Sequence, residues 1–141
     1  MSQTYIPAAI RRLVRDRAHD CCEYCRIPES LTFVGHCMDH IVAEKHGGET
    51  NTENLAFSCS ICNSHKGTDL TSIDPETGAI VPLFNPRCEL WISHFRVHEG
   101  RIVPLTPMGR ATERLLQFNL KSRVEERELL IDMGLLTLPT A

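Results

Sequence analysis

Two Cys-x-x-Cys pairs, Cys22/Cys25 and Cys59/Cys62, with 33 residues between them, restrict the possible folds of this chain more than any other feature. Its seven cysteines stand at positions 21, 22, 25, 37, 59, 62 and 88. An odd number cannot all pair within one chain, and a reducing interior would not keep disulfides. Each C-x-x-C turn aims two sulfurs at one point, and two such turns supply the four thiolates of a closed, tetrahedral Zn²⁺ site. The plain alternative is thiols buried as small apolar groups. Two pairs of matched spacing favour the metal. Cys21 is a substitute for Cys22 at most, because only Cys22 completes C-x-x-C with Cys25. Cys37 and Cys88 are expected as core thiols. The insert is long for a minimal zinc ribbon, so a substructure must fold inside it.

The 141 residues suit one ordinary domain with an appendage. At 42% hydrophobic and 23% charged residues the chain can bury a core. Fifteen Lys+Arg against 18 Asp+Glu give a net charge of -3, which excludes a polycation gripping nucleic acid by bulk charge. No apolar run approaches the ~18 residues of a membrane span, and the first residues show no secretory signature. A soluble, cytoplasmic protein with no membrane partner is the expectation.

An α+β organisation follows from the local patterns. Residues 6–20 place Ile6, Ala9, Ile10, Leu13 and Val14 at helical spacing with Arg11, Arg12, Arg15 and Arg17 between them. A solvated basic face over the core is the preferred reading of those arginines. Leu31–Asp39 and Leu55–Ser58 read as strands, Glu44–Glu53 with Gly47-Gly48 as a loop, and Ser60–Lys66 as a helix stopped by Gly67. Residues 1–70 thus form a core, and 71–141 an α/β extension expected to lie on it. In the extension, Phe95–Val97 and Arg101–Val103 flank Glu99-Gly100 as a hairpin. Thr106-Pro107 opens a helix, and Ser122-x-x-Glu125 forms a capping-box pattern ahead of Leu129, Leu130, Ile131 and Met133. Trp91 and Phe95 are expected to be core packing.

The insert and the segment after it carry Asp39-His40-Ile41, Gly47-Gly48-Glu49-Thr50, Asn54-Leu55 and Cys59-x-x-Cys62-Asn63-x-x-Lys66-Gly67. In order and approximate spacing these elements resemble the HNH endonuclease family over about residues 22–67. A departure is Ala43, where many members carry Pro; that position shapes the loop rather than the chemistry. The resemblance implies a ββα-metal finger stapled by the zinc knuckles. It also implies a metal-dependent endonuclease that leaves 5′-phosphate and 3′-hydroxyl ends.

Phosphodiester hydrolysis needs an activated water, relief of phosphate charge and a stabilised leaving oxygen. An imidazole titrates near neutral pH and can take a proton from water, which makes His40 the candidate general base. Asp39 and Asn63 offer hard oxygens suited to Mg²⁺ or Mn²⁺. Successive strand residues point to opposite faces, so Asp39 and His40 can serve one site only if the strand ends or bulges there. Asn54 is expected as a clamp bonded to backbone near His40. Lys66 is expected to neutralise a phosphate oxygen or to cap its helix. His65 is a candidate phosphate contact or third ligand. His36 could approach the site or line the core. His19, His46, His94 and His98 have no motif around them.

Residues 8–70 hold seven basic and nine acidic side chains, and 84–127 hold eight basic and five acidic. The second balance suits weak, salt-sensitive, largely sequence-independent DNA binding. A catalytically inactive zinc-stabilised binding or scaffold module is the alternative, and the joint presence of Asp39, His40 and Asn63 argues against it. A thiol redox protein is disfavoured because no thioredoxin-like βαβ pattern surrounds either C-x-x-C. Cutting both strands with one small site would favour a dimer or two successive nicks.

Overall fold

The structure, a computed structural model, describes residues 4–140. It is a mixed α and β protein whose contacts divide into two compact units between Leu70 and Thr71. Among the described residues no helix is long and apolar enough to cross a membrane.

The first unit begins with helix α1, Ala8–Arg17. Strands β1 (Cys37–His40) and β2 (Leu55–Ser58) form an antiparallel pair in which Asp39 lies opposite Ala56 and His40 opposite Leu55. Helix α2, Ser60–Lys66, follows β2 directly and packs on β1. The core is small: Ile6, Val14 and Ala18 meet Leu55 and Phe57, with Ile10 and Met38 at its edge. Leu13, expected on the same apolar face, is exposed. Arg17 is no solvated charge, since its guanidinium donates to the carbonyls of Thr52 at 2.5 Å and Leu55 at 2.6 Å. One of the four arginines thereby ties α1 to the start of β2.

The expected strand over Leu31–Asp39 is shorter than its composition suggests. Glu29–Leu31 forms a 3-10 turn after Pro28. Thr32 Oγ1 donates to the carbonyls of Glu29 and Val34, and the Glu29 carboxylate accepts from the His36 N–H. These local bonds satisfy the backbone before any ladder can begin. Pairing with β2 therefore starts only at Cys37.

The second unit pairs β3 (Thr71–Ile73) with β4 (Ile80–Pro82), and β5 (Phe95–His98) with β6 (Arg101–Pro104). Glu99 and Gly100 both have positive φ, as a two-residue hairpin turn requires. A single-turn helix α3, Trp91–His94, precedes β5, and Trp91 is buried against Phe95. Helix α4, Pro107–Leu116, starts with Thr106 accepting from the Gly109 N–H and Pro107 in its first turn. Helix α5, Lys121–Asp132, departs from expectation. It begins at Lys121 with Leu120 in the capping position, so Ser122 is already inside it and forms no capping box. Its buried residues are Arg123 and Arg127, while Leu129, Ile131 and Met133 are exposed. Arg127 explains the inversion: its guanidinium donates to the carbonyls of Gly100 and Phe118. Two carbonyls inside the unit need donors, and an arginine supplies them where a leucine could not. Cys88 is exposed rather than a core thiol, and Cys37 is half-buried.

Candidate active site

Four sulfurs converge where the two C-x-x-C turns meet. Those of Cys22, Cys25, Cys59 and Cys62 all lie within 4.8 Å of one another, and all four residues are buried. A tetrahedron with ~2.3 Å metal–sulfur bonds has edges of about 3.8 Å, and Cys25 Sγ stands 3.6 Å from Cys59 Sγ. In each turn the backbone N–H of the second cysteine donates to the first sulfur, at 3.4 Å in Cys22/Cys25 and 3.3 Å in Cys59/Cys62. Cys59 is also the capping residue of α2. Hydrogen bonds from Cys22, Cys25 and Cys62 hold its thiol far below the ordinary range, whereas burial pushes that of Cys62 well up. The donor set is soft, closed and dry, and fits a tetrahedral metal ion. Cys21 stands outside the cluster.

The knuckles are fastened to the sheet. Glu23 N–H donates to the Phe57 carbonyl at 2.8 Å, and its carboxylate accepts from the Phe57 N–H at 2.9 Å. The first knuckle is thereby bonded edge-on to β2, and Cys59, the residue immediately after that strand, opens the second.

Asp39 and His40 end β1, and the strand runs without a bulge up to that point. Asp39 is buried; its Oδ2 accepts from the Tyr24 hydroxyl at 2.7 Å and lies 3.2 Å from Lys66 Nζ. Burial pushes this carboxyl above its usual range, opposed by the Lys66 ammonium and the Tyr24 hydrogen bond. His40 points elsewhere, as strand alternation demands. Its Nε2 is 2.9 Å from Thr50 Oγ1 and 3.9 Å from Glu44 Oε1.

Lys66, read from the sequence as a phosphate contact or a helix cap, is a buried cation. It is 3% exposed and also donates to the carbonyls of His40 at 3.3 Å and Ile41 at 3.0 Å. The C-terminal end of α2 lies against the end of β1, where the carbonyls of His40 and of the next residue, Ile41, need donors, so the ammonium turns inward. Asn63 sits three residues earlier on α2 and therefore shares the face that carries Lys66 to Asp39. His65, two residues from Asn63, starts from a different side of α2 by helical spacing. His36 is also elsewhere: its Nε2 is 2.8 Å from the Ile27 carbonyl and its ring lies 5.0 Å from that of Phe57.

Residues 41–54 are held by Asn54. Its side-chain carbonyl accepts from the Val42 N–H at 2.9 Å, and its amide donates to the carbonyls of Val42 at 2.9 Å and Glu49 at 2.8 Å. The Ile41 N–H donates to the Asn54 carbonyl at 2.9 Å, one residue beyond the ladder. The two glycines have different reasons. Gly47 adopts φ 90°, a left-handed conformation. At Gly48 a Cβ would stand 1.7 Å from the Val42 carbonyl oxygen, so no side chain fits.

Sequence reasoning overlooked Tyr24 and assigned no role to Thr50, although Thr50 belongs to the Gly-Gly-x-Thr element. A phenol inside a C-x-x-C turn was the available signal for the first. A buried hydroxyl needs a partner, and the turn leaves it facing inward.

This arrangement is a short antiparallel pair crossed by a helix, with a thiol cluster at one end and an Asp-His step at the other. A family model for HNH endonucleases matches residues 22–69. A 47-residue stretch is 49% identical to part of the CRISPR-associated endonuclease Cas9 of Corynebacterium diphtheriae. That stretch is 33% of this chain, and the chain spans 4% of the length of that relative. No solved structure matches.

Proposed function

We propose that the protein is a metal-dependent DNA endonuclease, cutting or nicking phosphodiester bonds at the end of β1. The observation carrying this reading is the convergence of α2 on Asp39. Lys66 reaches that carboxylate from the helix face that also bears Asn63, and the residue following Asp39 carries an imidazole directed toward Thr50. The HNH family match over the same residues supports nuclease chemistry.

In this reading Asp39 and Asn63 hold a hard divalent cation, Mg²⁺ or Mn²⁺. When bound, that ion supplies relief of charge on the phosphate and on the leaving 3′-oxygen. His40 acts as general base. With Nε2–H donating to Thr50 Oγ1, the ring is oriented and Nδ1 is left as the basic nitrogen that takes a proton from water. Asn54 sets the path of the loop that carries Thr50, and so positions the ring indirectly. Zinc at Cys22, Cys25, Cys59 and Cys62 is structural, holding the first knuckle and α2 at fixed distance. His65 and the basic side chains of 84–127 are the proposed phosphate contacts, and a largely sequence-independent DNA backbone is the partner.

The test is supercoiled plasmid incubated with Mg²⁺ or Mn²⁺, with and without chelator, using the wild type and His40→Ala. Nicking by the wild type alone, abolished by chelator, is expected. Equal nicking by both proteins would remove His40 from the base role.

A further inference from the structure

Tyr24 lies between Cys22 and Cys25 and is 1% exposed, with its hydroxyl 2.7 Å from Asp39 Oδ2. It spans the gap between the thiol cluster and the carboxylate ending β1. Both ends of the span are referenced to one strand. The residue before Tyr24 exchanges two hydrogen bonds with Phe57 of β2, and Asp39 lies opposite Ala56 of the same strand. A carboxylate with two oxygens on a free rotor would otherwise choose its own orientation. Here the phenol holds Oδ2, and Lys66 approaches both oxygens, at 3.4 Å to Oδ1 and 3.2 Å to Oδ2. Lys66 supplies charge to that carboxylate without fixing which oxygen faces outward, since it approaches both. Tyr24 is neutral, and its hydrogen bond is compatible with the carboxylate ligating a metal through Oδ1. Hydrogen bonds of this kind to ligating side chains change metal affinity by roughly 10–100-fold.

We infer that Tyr24 is a positioning residue for divalent-cation binding at Asp39, mechanically coupling the Cys22/Cys25 knuckle to the orientation of that carboxylate. The inference rests on the reading of Asp39 as a cation ligand. It adds that the knuckle does more than staple the fold, because disorder in it passes through one phenol to the cation site.

Tyr24→Phe keeps the ring and removes the hydroxyl. Direct Mn²⁺ binding, read from the electron paramagnetic resonance signal of free Mn²⁺, would be compared in full-length wild type, Tyr24→Phe and Asp39→Ala. Zinc content and melting temperature would be measured alongside. The wild type is expected to bind Mn²⁺ and Asp39→Ala to lose it. Tyr24→Phe is expected to keep its zinc and bind Mn²⁺ at least about 10-fold more weakly. Its plasmid nicking should need correspondingly more Mn²⁺ for half-maximal rate, with the rate at saturation little changed. Unaltered Mn²⁺ affinity in a zinc-loaded Tyr24→Phe protein overturns the coupling alone. Wild-type affinity in Asp39→Ala, or no Mn²⁺ binding by the wild type, overturns the reading beneath it as well. Should Tyr24→Phe not fold, Tyr5→Phe provides the second route, since Tyr5 is exposed and its removal leaves Tyr24 as the lone tyrosine. Adding Mg²⁺ to that variant is expected to perturb tyrosine ultraviolet absorption with the midpoint of cation binding. A flat difference spectrum at saturating Mg²⁺ overturns the coupling.

Discussion

Lys66 Nζ lies 3.2 Å from Asp39 Oδ2, and the two side chains are 3% and 4% exposed. A charge pair this deep is costly to strand: removing one partner leaves the other in a poorly solvating interior. Lys66→Met is therefore expected to destabilise the protein by about 3–5 kcal/mol, read by urea denaturation followed by circular dichroism. A loss under about 1 kcal/mol, the range of exposed pairs, would show that the pair is solvated in solution.

The Asn54 carboxamide satisfies both backbone groups of Val42 and the carbonyl of Glu49. Asn54→Ala removes these three part-buried or exposed hydrogen bonds, at an expected cost of about 1–3 kcal/mol. Amide exchange of Val42 should accelerate in that variant, while exchange across β5 and β6 stays as it was. Gly48→Ala should disturb the same loop through a direct clash with the Val42 carbonyl.

Removing His40 tests the chemistry assigned to it. Its imidazole touches Thr50 and comes near Glu44 at the rim, and neither contact belongs to the core cluster. His40→Ala is expected to lose nicking by at least about 100-fold, the lower range for a general base. Zinc content and circular dichroism should match the wild type.

The thiol cluster behaves in the opposite way. Cys59→Ser removes a sulfur that both caps α2 and belongs to the four-thiol cluster. Structural zinc sites contribute on the order of 10 kcal/mol or more to the folding of small domains. The variant should therefore lose zinc and fail to give the cooperative melting transition of the first unit. Zinc content and calorimetry decide it, and a strong chelator should act on the wild type in the same direction.

Acid stability has a separate origin, in the second unit. Arg110 grips Asp74 through both oxygens, at 2.8 Å and 2.9 Å, and holds its carboxyl well below the usual carboxylate range. A folded-state pKa below the unfolded one gives stabilisation that is full above the unfolded value, near 3.8, and fades as pH falls below it. Asp74→Asn should flatten the decline in stability below about pH 4, measured by thermal melts from pH 2 to 6.

The elements most legible in the sequence are those whose causes are local. Thr106-Pro107 opens α4 because the hydroxyl and the ring act on the next turn alone. Glu99-Gly100 turns the hairpin because its backbone conformation is positive in φ at both residues. The strand expected over Leu31–Asp39 failed for a local reason that composition hides: side-chain bonds from Glu29 and Thr32 bend the chain before Cys37. The capping box at Ser122 failed because α5 starts two residues earlier, and its apolar residues face outward because Arg127 is needed inside.

The spacing of the four cysteines determined that their sulfurs would meet, since each C-x-x-C turn carries its own geometry and needs only to be brought to the other. The order Asp-His, Gly-Gly-x-Thr, Asn, Asn-x-x-Lys likewise marked the chemistry-bearing stretch. Only the tertiary structure decided that Lys66 faces Asp39 rather than solvent, that Tyr24 reaches the same carboxylate, and that Thr50 meets His40. Those contacts join residues 10 to 27 positions apart across separate elements. Their existence depends on how α2, the first knuckle and the loop come to rest on β1, which no local propensity encodes.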